Sequence, residues 1–180
     1  MRQFELAGIS STGVWRNVPS CDASENVQWD IAGEAPPQAL RRHWDVVVNA
    51  AASTRWSMTK EEAFRANVAT VKSLAEVCAP DTHVVHVSTA YAGGRSGAAT
   101  DFRNNYEWSK AESERVADLS FSRLSIVRPS LIVGRREDGF AAKFTGMYLL
   151  VRGIVTGTIP VIVGSPTAYF DVVPVDDLAR

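Results

Sequence analysis

The apolar positions of this chain follow two alternating rhythms. Continuous apolar runs at 45–50, 83–88 and 124–128 have strand length and are rich in Val. The run at 45–50 is of the kind buried on both faces in a parallel sheet. A shorter run at 27–31 reads as a strand ending at Asp30 and Ile31. Between the strands the period turns helical. Behind Thr59, the residues Ala63, Phe64, Val68, Val71, Leu74, Ala75 and Cys78 recur at helical spacing, and Pro80 lies just past the end. Glu61 and Glu62 suit a helix's first turn. Another helix runs from Tyr106 to about Leu119, and shorter ones are expected at 36–44 and 140–151. Pro129 stops the 124–128 strand, and strand-like pieces at 159–163 and 170–173 close the chain. Strands alternating with helices predict βαβ units, a parallel sheet and an α/β fold.

Composition narrows the function classes. The chain has 180 residues, 46% apolar, 22% charged, with a formal net charge of −1. That length predicts one domain with a sizeable core. Near-neutral charge gives no nucleic acid or acidic membrane surface as partner. The apolar stretch from Gly146 to Gly164 is broken by Arg152 and Pro160, and its charge-free run is too short to cross a bilayer. Cys21 and Cys78 form neither a metal spacing nor a disulfide framework, so a reduced, cytoplasmic setting is expected. His83 and His86 are three apart on one strand. They point to opposite faces and make no metal pair.

Ligands in parallel sheets sit at the carboxyl ends of strands. Those ends hold Asn49-Ala50-Ala51, Ser88-Thr89 and Pro129-Ser130. Tyr106 and Lys110 add chemistry. Four apart, they share one helix face. A cation beside a phenol favours its ionised form and brings it toward the range where it trades protons. Such a phenol serves as an acid for carbonyl reduction or a base for alcohol oxidation. The plainer reading is a helix with one buried aromatic and one solvated lysine. Trp56 and Trp108 read as packing groups.

In order along the chain, 45–53 with its Asn-Ala-Ala turn, Asn67-Val68, His86 to Tyr91, Tyr106 to Glu112, 127–134 and 170–177 resemble the extended short-chain dehydrogenase/reductase superfamily. They resemble most its thioester-reductase, male-sterility-like branch. The resemblance covers about 27–180. It implies a Rossmann-like parallel sheet with helices on both faces, and a substrate lobe beginning at about 140. By resemblance, Tyr106 donates a proton to a carbonyl oxygen, Lys110 holds the nicotinamide ribose and lowers the phenol, and Thr89 polarises the carbonyl, with Ser88 as the alternative hydroxyl. Asn67 braces the active-site backbone or a water. Asn49, Ala50 and Ala51 line the cofactor cleft. Pro129, Ser130 and Ile132 belong to the nicotinamide-side turn, and Asp30-Ile31 meets the adenine. The implied cofactor is NADP or NAD, with NADP favoured, and the substrate a small-molecule or carrier-bound acyl group.

The departure from the family lies at the N-terminus. Gly8 to Trp15 holds two glycines without the family's G-x-x-G-x-x-G spacing, whose amides approach a pyrophosphate. The expectation is a domain shortened at its N-terminus and lacking most of the substrate lobe. An incomplete sheet of that kind exposes an edge and apolar surface that invite self-association. Three readings stay open: a thioester or aldehyde reductase, a nucleotide-sugar epimerase or dehydratase, and a non-catalytic fragment or cofactor-sensing pseudoenzyme.

Overall fold

The computed structural model describes residues 9–17, 26–98, 100–141, 146–161, 164–165 and 167–179. Gly8, Cys21, 142–145 of one expected helix and 162–163 of one expected strand lie outside them. The chain forms two compact units, Met1–Arg128 and Pro129–Arg180.

The first unit is built on a parallel sheet of three strands in the order β3 (Val46–Asn49), β4 (His83–Val87), β5 (Arg123–Val127). Val46 pairs with His83, and His83 with Arg123. Parallel neighbours need long crossovers, and the sequence supplies helical ones. Between β3 and β4 run α1 (Lys60–Ala63), a π-helical turn (Phe64–Val68) and α2 (Ala69–Ala75). Between β4 and β5 runs α3 (Asn105–Ser120). A separate parallel pair joins β1 (Gly13–Trp15) to β2 (Asn26–Gln28). The expected strand at 27–31 is therefore shorter. Trp29 leaves it for the core, and the Gly33 and Glu34 amides turn back onto the Asp30 carbonyl. At 36–44 only a single 3-10 turn forms, Gln38–Leu40.

Alternation along β3 to β5 decides what is buried. Val84 joins Trp29, Leu40, Leu74 and Val77 in one apolar cluster, with Ile31, Val47 and Leu124 packed against it. Val68, Val71, Val116 and Ala117 form a second cluster that ties α2 to α3. Val46 and Val48 point the other way and are 52% and 55% exposed. The run at 45–50 is thus not buried on both faces. Its alternate valines lie on a face the described residues leave open, and period 2 permits no compromise.

The helical run 60–75 starts as the sequence implies. Thr59 accepts from the Glu62 amide, and Glu62 accepts from the Thr59 amide, a reciprocal cap. The π turn then adds a residue to one turn, and the apolar phase slips. Phe64, expected in the core, turns outward, with Lys72 over its ring at 5.3 Å. Cys78 lies beyond the helix end, half-buried, its thiol pushed up to about 11 by burial.

The second unit pairs β6 (Leu131–Val133) in parallel with β7 (Val172–Pro174). It carries α4 (Met147–Val155) and α5 (Val175–Leu178). The helix expected at 140–151 is displaced, because Gly146, at φ 56°, sets its start. The described part of 159–163 is not a strand. The Ile159 amide donates to the Gly153 carbonyl at 2.9 Å, and a Cβ on Gly153 would lie 2.6 Å from Ile159 Cδ1. The segment folds back onto the bare glycine of α4. Arg136 anchors the start of α5 through its amide to Asp176 and its side chain to Asp177.

Candidate active site

The carboxyl end of β4 and the buried face of α3 make the site. Asn104 caps α3 by accepting from the Glu107 amide at 3.0 Å. That fixes the helix phase, and the phase turns Tyr106, Glu107, Ser109, Lys110, Ser113 and Glu114 inward. A buried helix face of hydroxyls and charges is costly unless every group finds a partner, and these do. The Lys110 ammonium, 2% exposed, donates to the Val87 carbonyl at 2.8 Å. Ser113 donates to the Lys110 carbonyl at 2.7 Å. Glu114 receives a fork from Arg128, at 3.0 Å from Nε and 2.6 Å from Nη2.

His86 links the strand ends to the helix. Its Nδ1 faces the Asn49 amide nitrogen at 3.1 Å and its Nε2 faces Ser113 Oγ at 3.0 Å. The Asn49 NH2 can only donate, so Nδ1 accepts and Nε2 carries the proton. Burial, and then the Lys110 charge, push this imidazole down to about 4. It is a neutral strut. Asn49 completes the chain by accepting from the Ala51 amide at 3.2 Å.

Asn67 sits in the π turn, a local widening that recurs at functional sites. Its carbonyl oxygen accepts from the Ser53 amide at 2.7 Å. Its NH2 donates to the Ser53 carbonyl at 3.1 Å and to Ser109 Oγ at 2.8 Å. The side chain thus clamps the loop after β3 to the helix that carries Tyr106.

The Tyr106–Lys110 pair departs from expectation. The spacing predicts a cation that lowers the phenol. Instead the Tyr106 phenol is raised, first by burial and further by Glu107 and Tyr91, while Thr89 works against them. Lys110 contributes nothing to that balance, because its ammonium is committed to the Val87 carbonyl. Lys110 itself is pushed down to about 8 by burial, with Glu114 holding some charge on it. Thr89 acts on the phenol without a hydrogen bond of ordinary geometry. Its hydroxyl accepts from the Tyr91 amide at 3.4 Å and caps the 3-10 turn Ala90–Gly93. Ser88 Oγ is buried without a hydrogen-bond partner, and only a longer-range pull on Glu114 touches it.

Other expected residues lie apart from this centre. Asp30 pairs with Arg16 at 3.2 Å, and Ile31 packs against the Trp29 cluster. Ala50 and Ala51 are exposed at the end of β3. Pro129 is buried, Ser130 half-buried and Ile132 42% exposed, all in the second unit. The sequence reading set His86 aside and passed over Ser113 and the Arg103–Glu107 pair. A usable signal existed for Ser113: it follows Ser109 by four, which puts a small hydroxyl on each successive turn of one face. Among the described residues no group of His, Cys, Asp or Glu is placed to hold a metal. No helix there is long and apolar enough to cross a membrane.

The site fits one end of a nicotinamide dinucleotide. Ser88 Oγ is an orphaned polar atom beside Lys110, which uses one of its three N–H donors on the Val87 carbonyl. No glycine turn opening a helix lies among the described residues before β3.

Comparison with known proteins agrees with this architecture. Several solved structures share the fold. MoeE5, in complex with UDP-glucuronic acid and NAD, superimposes with a TM-score of 0.74 at 20% identity over 99% of this chain and 64% of its own. TunA, an NAD-dependent NDP-hexosamine 5,6-dehydratase of tunicamycin biosynthesis, gives 0.71 at 18% identity, over 98% of this chain and 64% of its own. The terminal R domain of the myxalamid pathway gives 0.69 at 16% identity, over 86% and 45%. The chain thus spans less than two thirds of the length of each. No curated protein sequence matches it. The description "Male sterility protein", an NAD-binding family, matches residues 33–180. With a Rossmann-like parallel sheet and that match over most of its length, the chain belongs to the male sterility protein family, within the extended short-chain dehydrogenase/reductase superfamily.

Proposed function

We propose that this chain carries the proton-handling half of an NAD(P)H-dependent reductase acting on the carbonyl of an acyl thioester or aldehyde. The observation that carries the reading is the inward-facing row of Tyr106 and Lys110 against Thr89 and the end of β4. Burial favours the neutral phenol, and a neutral phenol suits donation in the reducing direction. Tyr106 delivers its proton to the carbonyl oxygen as charge develops there, and Thr89 orients that oxygen. Ser88 and Lys110 hold the nicotinamide side, and Asn67 keeps α3 in register with the loop after β3. The cofactor, when bound, supplies the hydride. NADPH is the favoured donor. The unit after Arg128, with Pro129, Ser130 and Ile132 at its start, opens the substrate lobe. A carrier-bound acyl group is the natural substrate form.

The test is NADPH and NADH consumption at pH 7 with a short acyl thioester, with an aldehyde and with an NDP-sugar. Turnover with the first two, lost by 10²-fold or more in Tyr106→Phe with an unchanged circular dichroism spectrum, is expected. Turnover only with the NDP-sugar moves the chain to the epimerase and dehydratase reading. No turnover with any of the three moves it to the pseudoenzyme reading. The Lys110 charge adds a pH test. Since the ammonium loses its proton near 8, activity should decline as pH rises through that value. The exposed valines of β3 support self-association through that strand, read by sedimentation.

A further inference from the structure

Next to Tyr106 lies a group that the proton-transfer reading does not use. The Glu107 side chain is 1% exposed. Its Oε1 accepts from Arg103 Nε at 2.7 Å and lies 2.5 Å from Nη2, and its Oε2 accepts from the Arg103 amide at 3.1 Å. The same guanidinium stacks 4.5 Å from the Tyr91 ring centroid and 5.8 Å from that of Trp56. Trp56 and Tyr91 meet edge to face at 6.4 Å and 87°. Tyr91 is tied by its amide to Thr89. Arg103 thus holds a buried carboxylate by one edge and an aromatic ring by one face, and both belong to the surroundings of Tyr106.

We propose that Arg103 is a positioning residue of this site: it compensates the Glu107 carboxylate and seats Tyr91 beside Thr89, and it acts on the Tyr106 phenol only through those two groups. An uncompensated carboxylate beside a phenol disfavours the phenolate. A buried carboxylate stripped of its cation is the severe case, because little water screens it. The phenol already feels Glu107 and Tyr91 in that sense, and Arg103 is absent from its direct influences. The apolar groups packed with Tyr106, Met58, Ala63, Ala66 and Trp108, bring no charge of their own. Lys110, one turn along, is committed to Val87. Arg103 therefore keeps the proton affinity of Tyr106 within reach of catalysis without touching the reacting atoms. The inference rests on Tyr106 as the proton donor, but its test needs no turnover.

The test places 3-fluorotyrosine at position 106 of the full chain, since the fluorinated phenol ionises at lower pH than tyrosine. Its titration is followed by 19F NMR without cofactor. Arg103→Gln should raise the phenol's proton affinity by about threefold or more, and Glu107→Gln should lower it by a similar factor. Arg103→Gln added to Glu107→Gln should change nothing further. Arg103→Lys, which keeps charge but not the fork, should fall between parent and Arg103→Gln. Where Arg103→Gln is too unstable to titrate, Glu107→Gln and Arg103→Lys carry the test. An unmoved midpoint in Glu107→Gln, or an Arg103→Gln effect equally large with and without Glu107, overturns the proposal. A titration that behaves as described in a chain with no turnover leaves it standing and removes only the reductase reading.

Discussion

Val84 and His86 lie two residues apart on the same face of β4, and they live in different chemistry. Val84 is fully buried among Trp29, Leu40, Leu74 and Val77. His86 is equally buried but held by Asn49 and Ser113. The amino end of the sheet gains its stability from apolar area, which is non-directional and tolerant of repacking. The carboxyl end is held by single hydrogen bonds, each of which fixes an atom. Such networks define one geometry when complete and are costly when broken. This division puts bulk stability away from the place where Tyr106 and Lys110 must stay aligned.

Substitutions at the two ends should separate these roles. Trp29→Ala should have the largest effect on stability. It removes an indole that is 3% exposed and bonded to the Glu34 carbonyl, at a cost of about 3–5 kcal/mol. Chemical denaturation should show it, and any turnover that remains should keep its pH profile.

The next effect is a pH effect at His86. Its folded value of about 4 lies below its ordinary 6.5. The unfolded chain therefore takes up a proton that the folded chain refuses. The contribution is complete above about 6.5 and is lost as pH falls from there through 4, on the order of 2–3 kcal/mol. His86→Gln should flatten that limb of the stability curve. A limb of equal steepness in the variant would assign acid sensitivity elsewhere.

Asn67→Ala should cost about 2 kcal/mol, because the Ser53 backbone groups lose partners. It should also reduce turnover by more than the stability loss explains, since it frees α3 from the loop after β3. Val48→Thr marks the bottom of the scale. Its side chain is 55% exposed, and denaturation should place the change within about 0.5 kcal/mol.

The sequence showed much of this. The strand runs at 45–50, 83–88 and 124–128 and the two long helices are where period and caps put them, because Thr59 and Asn104 are strong local signals. Less legible was anything set by what lies opposite. A valine run reads the same whether or not a helix covers it, so the open face of Val46 and Val48 was invisible. The π turn at Phe64–Val68 inserts a residue that no periodicity announces, and it put Phe64 on the wrong side. The inward direction of Tyr106 and Lys110 could be read from their spacing. Their electrostatics could not, because the Val87 carbonyl that takes the ammonium is distant in sequence. The Arg103–Glu107 pair stood in plain view at helical spacing, but only burial makes it matter.

The central claim is that the carboxyl end of β4 and the face of α3 deliver a proton while a nicotinamide delivers hydride to a carbonyl. The direct measurement is incubation with NADPH deuterated at C4 and an acyl thioester, followed by mass analysis of the product. Deuterium in the reduced product of the parent chain, and none above background with Tyr106→Phe, is the predicted result. A parent chain that transfers no deuterium at saturating NADPH, or a Tyr106→Phe chain that transfers it equally well, would contradict the account.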